Sequence, residues 1–179
     1  MALRLPLSPR SLPMPLWRPL RSTDLPAVSA IAAVVHPAYP EDDAVFADRA
    51  AIAPEACFLL EVDGAPAGYV LAHPWRHDSL PALNTVLGAV PAAPDTLYVH
   101  DLALLPAARG SGAAAEIVAR LARVAQPHGA MSLVAVNDSV PFWTRMGFSP
   151  RVMPPLAAKL ASYGADACYM TRPMAPHSC

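Results

Sequence analysis

The sequence predicts one domain of the mixed α/β class, with strands and helices intermixed as in α+β folds. Three observations lead to this prediction. Apolar runs of strand length alternate with segments of helical spacing along most of the chain. The 179 residues are enough for one hydrophobic core but few for two. Finally, 54% of the residues are hydrophobic and only 15% are charged, which is the composition of a folded chain.

Capping and turn residues predict the order of helices and strands in the first half of the chain. Thr23 and Asp24 offer an N-cap before a helix that carries Pro26 early, where the missing N–H of proline does little harm. The pair Asp63-Gly64 lies between two apolar runs and predicts a β-hairpin. The hairpin is therefore expected to follow two helices.

The second half begins with an irregular, proline-interrupted connection at residues 75–95, and segments of this kind are often functional. A long helix is predicted at 112–126, which has no Gly or Pro in its interior. The predicted strands are 16–20, 57–62, 67–72, 96–105, 132–136, 147–152 and 167–172, and the predicted helices are 25–35, 42–52, 112–126, 139–146 and, weakly, 156–163.

Charge and hydropathy narrow the class of partner. Lys and Arg number 13 and Asp and Glu 14, so the net charge is −1 and a nucleic-acid partner is not expected. No apolar stretch reaches the roughly 20 residues of a membrane-spanning helix, so no membrane partner is expected. Prolines interrupt residues 1–14, which predicts a flexible leader rather than a signal peptide and leaves Met14 as an alternative start. The domain is predicted at 15–175 and a loose C-terminus at 176–179.

The cysteine and proline counts add two expectations. The three cysteines are odd in number and lack CxxC spacing, which argues against a disulfide framework and a zinc site and predicts a cytoplasmic location. The 22 prolines are about twice the usual share, and in an aliphatic-rich chain they predict rigid connections rather than disorder.

The most informative segment is 102–114, a strand followed by the turn Arg-Gly-Ser-Gly and the start of the long helix. Glycines let the backbone approach a ligand, and the free N–H groups of a first helical turn attract anions. Ala113 and Ala114 leave room for a pyrophosphate. No Lys-Ser/Thr follows the glycines, so the segment is not a P-loop. Glycines present only for helix packing are the alternative.

This segment resembles the acyl-CoA signature of the GNAT acetyltransferase superfamily, Arg/Gln-x-x-Gly-x-Gly/Ala, with Arg109, Gly112 and Ala114 at its three positions. A second segment, 142–148, is similar to the family's Phe-Tyr-x-x-x-Gly-Phe, and Asn137 precedes it at the end of a strand. The resemblance implies the GNAT fold, a mostly antiparallel sheet flanked by helices. Its two parallel strands, expected at 96–105 and 132–136, are splayed apart by the cofactor.

The resemblance also implies acetyl-CoA as cosubstrate, no metal, and direct attack by a primary amine of a small molecule or peptide. The residues expected to hold the cofactor are Leu102, Ala103, Leu104, Arg109, Gly110, Ser111, Gly112, Ala113, Ala114, Asn137 and Trp143. Trp143 replaces the Tyr that often protonates the leaving thiolate in this family, and an indole N–H only donates hydrogen bonds. A catalytically silent acyl-CoA-binding module is therefore the alternative function, and a homodimer is left open.

The catalytic candidates are His100 and Tyr98. Strict strand alternation places them on one face and Val99 and Asp101 on the other. Because a histidine changes charge near neutral pH, His100 suits the role of base, with a hydrogen-bonded core histidine as the alternative. Asp101 is expected to anchor a neighbouring element.

The acceptor is expected to contact two clusters. In the loop 36–43 the residues expected to contact the acceptor are Tyr39 and Glu41. Asp42 and Asp43 could attract a cationic amine as well, and the alternative is that they favour the start of the next helix electrostatically. At the end of a strand the residues expected to contact the acceptor are His73 and Trp75. A metal site at His73 lacks a third ligand.

Overall fold

The structure, a computed structural model, describes residues 14–77 and 79–175. The predicted leader up to residue 13 and the predicted loose C-terminus lie outside the described residues. The strands are β1 (Pro15–Pro19), β2 (Phe58–Val62), β3 (Ala65–Trp75), β4 (Thr96–Leu104), β5 (Ala130–Ala135), β6 (Ser149–Pro150) and β7 (Cys168–Pro173). The helices are α1 (Leu25–Val35), α2 (Asp43–Ile52), α3 (Ala113–Val124), α4 (Val140–Arg145) and α5 (Ala157–Ala161), with short 3₁₀ turns between.

The seven strands form one mixed sheet in the order β1-β2-β3-β4-β5-β7-β6. Every neighbouring pair is antiparallel except β4 and β5, which are parallel. These two strands pair only at Leu97 with Met131 and at Tyr98 with Ser132. Beyond Tyr98 they diverge, as expected for the splayed strands of the GNAT fold.

One extra residue interrupts the ladder between β3 and β4. Leu71 pairs with Asp101 and Ala72 pairs with Val99, so His100 has no partner on β3. A bulge of this kind breaks the strict alternation of side chains and re-aims those beside it. The expectation that Asp101 shares a face with Val99 is therefore wrong.

The two faces of the sheet carry separate layers. Val99 packs in one cluster with residues of α3, and Leu102 and Leu104 pack against that same cluster. Ala103 packs on the other face with residues of α1 and α2. Before the bulge the odd-numbered residues of β4 face α3, and after the bulge the even-numbered residues do. Asp101 therefore lies on the face of the sheet that α1 and α2 cover.

Two strands differ in length from the predictions. β3 extends to Trp75, because residues 73–75 pair with Tyr98, Leu97 and Thr96. The strand expected at 147–152 is reduced to Ser149–Pro150 at the sheet edge, where a proline without an N–H is tolerated. The connection after β3 contains no helix or strand among its described residues.

Candidate active site

A cavity of about 410 Å³ opens where β4 and β5 diverge. It is lined by both strands, by the segment after α1 and by α4. On the cavity side, β4 beyond Tyr98 has no ladder partner among the described residues, because Leu102, Ala103 and Leu104 pair only with β3. The cavity-side backbone groups of Leu102 and Ala103 are available to an extended ligand lying in the gap.

The predicted cradle lies between the end of β4 and the start of α3. Gly110 and Gly112 have φ angles of 75° and 85°, a left-handed conformation that favours glycine. A Cβ at either position would meet nothing within 4 Å, so the space before them is open. Ser111 fixes the turn, because its Oγ donates to the Ala108 carbonyl at 2.7 Å. α3 is a helix of 12 residues that begins directly after this turn. The N–H of its first residue, Ala113, donates to Ser111 Oγ at 3.3 Å, and the other N–H groups of the first turn have no partner within the helix.

The Arg109 side chain is held against the end of β4. Its Nε donates to the carbonyl of Leu104 at 3.1 Å, which ties the turn to the end of β4. The side chain is exposed. The guanidinium therefore has donors left for an anion.

The far wall of the gap is formed after β5. Asn137 lines the cavity and has a φ of 52°, a conformation that Asn adopts more readily than most residues. Trp143, 8% exposed, also lines the cavity and packs edge-on against Phe142 and Phe148 at ring-centroid distances of 4.9 and 5.4 Å. Trp143 is thus an apolar wall.

His100 and Glu41 form a hydrogen-bonded pair on the cavity. His100 Nε2 lies 2.8 Å from Glu41 Oε2, and the two side chains are only 10% and 11% exposed. With a carboxylate at Nε2, the proton of a neutral imidazole resides there and Nδ1 keeps its lone pair. The other carboxylate oxygen, Glu41 Oε1, is buried and has no hydrogen-bond partner among the described residues.

Asp101 is the centre of a second polar group on the same cavity. His36 Nε2 at the end of α1 lies 2.9 Å from Asp101 Oδ1, and the Tyr69 hydroxyl donates to Asp101 Oδ2. Burial raises the pKa of Asp101, but His36 and Tyr69 outweigh burial and hold that pKa below its ordinary value. Burial likewise lowers the pKa of His36, yet Asp101 raises it overall. As expected, Asp101 anchors neighbouring elements, here α1 and β3.

The sequence and fold comparisons agree with this geometry. A model of the acetyltransferase (GNAT) family matches residues 17–148. The chain belongs to the GNAT acetyltransferase family. A search of the curated proteins found no match.

Solved GNAT structures align over most of this chain. Ard1 from Thermoplasma volcanium is 16% identical, with a TM-score of 0.68 over 90% of this chain and 98% of its own. The ribosomal-protein-S18-alanine N-acetyltransferase from Escherichia coli is 18% identical, with a TM-score of 0.63 over 92% and 97%. Naa50 from Arabidopsis thaliana, solved with the bisubstrate analogue CoA-Ac-MVNAL, is 15% identical, with a TM-score of 0.62 over 88% and 96%. At these identities the likeness establishes the fold.

Tyr98 lines the cavity of this GNAT domain, but its hydroxyl is engaged. It is hydrogen-bonded to the Tyr163 side chain, whose own hydroxyl donates to the Pro81 carbonyl. Burial raises the pKa of Tyr98 well above its ordinary value, so the phenol keeps its proton at neutral pH.

His73 and Trp75 are not among the residues that line the cavity. His73 is fully buried, with its ring centroid 5.5 Å from that of Tyr98 and 6.3 Å from that of His100. Burial lowers the pKa of His73 to about 3, so its imidazole is neutral. The structure thus places His73 behind the two catalytic candidates rather than beside the acceptor, and the expected contact between this cluster and the acceptor is unsupported.

Of the polar residues in the loop 36–43, His36, Tyr39 and Glu41 line the cavity. The Tyr39 hydroxyl donates to the Tyr163 carbonyl at 2.8 Å. Asp43 Oδ1 accepts from Ser29 Oγ at 2.6 Å, and Asp42 pairs with Asn84, so both carboxylates hold structure instead.

Three contacts of the site were not predicted from the sequence. They are the Glu41–His100 pair, the His36–Asp101 pair and the hydrogen bond between Tyr98 and Tyr163. The dense His-Pro-Ala-Tyr-Pro-Glu loop was the available signal for the first two. Among the described residues, no group of three His, Cys, Asp or Glu could hold a metal ion, and no helix is long and apolar enough to cross a membrane.

Proposed function

We propose that this protein is an acetyl-CoA-dependent N-acetyltransferase whose acceptor is a primary amine of a small molecule or peptide. The observation that carries the proposal is one cavity that is lined both by β4 as far as Leu102, where β4 has left β5, and by the Glu41–His100 pair. A thioester held along β4 would meet an amine held beside His100 in that single space. Direct transfer in a ternary complex requires this proximity.

The residues present fit a coenzyme A molecule. The open space before Gly110 and Gly112 and the N-terminus of α3 suit its pyrophosphate, and Arg109 has donors for a phosphate. The backbone edge at 102–103, which has no partner on β5, suits the amides of the pantetheine arm, with Asn137 and Trp143 on the opposite wall. Acetyl-CoA, when bound, supplies an activated thioester carbonyl.

His100 acts as the base in this mechanism. An amine reaches the site mainly as an ammonium ion and must lose a proton before its lone pair can attack. Because Nε2 faces Glu41, Nδ1 is the nitrogen that takes this proton, and the carboxylate then stabilises the imidazolium. The amine nitrogen bonds to the carbonyl carbon, the C–S bond breaks, and sulfur leaves with the electron pair as a thiolate. The nitrogen gives its second surplus proton to solvent as the amide forms.

Solvent protonates the thiolate in this proposal. Trp143 cannot act as an acid, because an indole N–H only donates hydrogen bonds. Tyr98 holds its proton too firmly to be an efficient donor, because burial raises its pKa well above the ordinary value. Tyr98 therefore shapes the acceptor wall and supports the ring of His100 through His73.

The proposal is tested by thiol release from acetyl-CoA with a panel of primary amines. We expect amine-dependent release of free thiol, with the acetylated amine detected by mass spectrometry. The alternative is a silent acyl-CoA-binding module, favoured by Trp143 in place of the family's Tyr. Tight CoA binding without thiol release across the panel would overturn the transferase proposal and support the module.

A further inference from the structure

Among the described residues that line the cavity, carboxylates are present but side chains with a permanent positive charge are not. Two carboxylates line it, Glu41 and Asp101, together with the two imidazoles of His36 and His100. None of the described residues that line it is Lys or Arg. The site therefore offers a ligand two anionic groups and no side chain with a permanent positive charge.

The two carboxylates differ in how many of their oxygens already have a partner. Asp101 Oδ2 accepts from the Tyr69 hydroxyl, and Oδ1 lies within ion-pair distance of His36 Nε2, at 2.9 Å. Glu41 uses Oε2 for His100, while Oε1 is buried without a partner. A buried carboxylate oxygen without a hydrogen bond is unfavourable, and a ligand N–H would relieve it.

One guanidinium, that of Arg49, is fully buried but lies outside the cavity lining. Its Nη1 is paired with Asp48, and its Nη2 donates to the Thr85 carbonyl at 2.8 Å. Arg49 is therefore not placed to pair with a carboxylate on the ligand.

From this arrangement we infer that the acceptor is a primary amine with no carboxylate on the carbon next to its nitrogen. The inference rests on the proposed function and sharpens its substrate class. The ammonium of such an amine donates to Glu41 Oε1 and then delivers its proton to His100. A free α-amino acid would bring its carboxylate into a poorly solvated cavity beside Glu41 and Asp101, where like charges repel strongly. A peptide N-terminus carries an amide at that carbon and meets no such repulsion.

Three matched compounds test the inference: leucine, leucinamide and 3-methylbutylamine. The amide and the amine lack the carboxylate but keep the same branched side chain. The amide group also makes its amine less basic, so 3-methylbutylamine, whose nitrogen is more basic, controls for basicity. We expect kcat/KM to be at least tenfold higher for both than for leucine. A leucyl peptide then separates a peptide acceptor from a small amine.

The Glu41→Gln variant probes the origin of the discrimination. Its overall rate falls, because Glu41 also positions His100, but the ratio of kcat/KM between leucinamide and leucine is independent of that common loss. We expect this ratio to fall at least threefold in the variant. A ratio near one in the unaltered protein, or an unchanged ratio in the variant, would overturn the inference.

Binding separates this inference from the proposed function. The three compounds are titrated calorimetrically into the protein saturated with CoA. Selective binding of leucinamide and 3-methylbutylamine without turnover would uphold the inference and overturn the transferase proposal. Turnover with leucine preferred would do the reverse, and neither binding nor turnover would overturn both.

Discussion

The position of the His100 side chain depends on the bulge in β4. The bulge opposite Leu71 and Ala72 leaves His100 outside the β3 ladder. His100 and Asp101, which follow one another, both contact groups from the segment after α1: Glu41 for His100 and His36 for Asp101. A regular strand would send successive side chains to opposite faces. The bulge thus brings two carboxylate–imidazole pairs to one cavity.

The His100→Ala variant tests the role of the base at this scale. We expect kcat to fall about 10²–10⁴-fold, the usual contribution of a positioned base, while the Kd of CoA changes by less than about twofold. Steady-state thiol release and calorimetry measure the two quantities. His128→Ala, in the 3₁₀ turn that follows α3 and outside the cavity lining, is the matched control. Equal turnover in the two variants would contradict the assignment.

At the scale of elements, an irregular segment is held in place by one helix. Asp48 in α2 accepts the N–H groups of Leu87 and Gly88 at 2.9 and 2.8 Å, and Arg49 donates to Thr85. Burial raises the pKa of Asp48, but these bonds outweigh burial and lower it overall. The segment after β3 thereby forms a fixed wall without secondary structure of its own, because its backbone groups bond to side chains instead.

The N-terminus of α3 is the element that should bind the cofactor. We expect Gly112→Glu to weaken CoA binding about 100-fold or more, equivalent to about 2.7 kcal/mol, because a carboxylate would occupy the space of the pyrophosphate. Calorimetry with CoA measures the loss.

Gly64→Glu is the matched control for that prediction. Gly64 has a φ of 79°, close to the 85° of Gly112, and a Cβ there also meets nothing within 4 Å. The two variants carry similar backbone strain, but Gly64 lies in the hairpin turn between β2 and β3. Comparable loss of CoA affinity in both would refute the cradle.

At the scale of the whole molecule, buried histidine makes the fold sensitive to acid. The pKa of His73 is lowered to about 3 by burial and by His100 and Arg49, although Asp48 opposes the effect. The unfolded chain takes up this proton below about pH 6.5 while the folded chain does not, so stability falls as pH falls through that window. The pKa of His36 is raised in the folded chain, so protonation of His36 stabilises the fold. This stabilisation is fully present below the pKa that His36 has in the unfolded chain.

The prediction is an extra loss of about 2 kcal/mol in the free energy of unfolding between pH 6 and pH 4.5. Urea unfolding at the two pH values measures it. In His73→Leu, which fills a similar volume without a titrating group, we expect this extra loss to disappear. His36→Gln, which removes a histidine of opposite sign, should keep it. A His73→Leu variant as acid-sensitive as the unaltered protein would contradict the prediction.

Local signals in the sequence were sufficient for the fold class, the element order and the glycine turn between β4 and α3, whose role as a cofactor cradle stays a prediction. Glycines at 110 and 112, the apolar period of the strands and the proline breaks each act within a few residues, so one chain contains all the information they need. They also located His100, Tyr98, Tyr39 and Glu41, all of which line the cavity.

Only the tertiary structure decided how these residues meet. Glu41 and His100 are 59 positions apart, and their contact depends on where the loop after α1 lies against a bulge that no local period encodes. The burial of His73 behind them and the absence of Lys and Arg from the described cavity lining arise in the same way. Sequence determines which groups a segment carries, whereas packing of distant segments determines which of those groups face one another, and the chemistry of the site depends on the second.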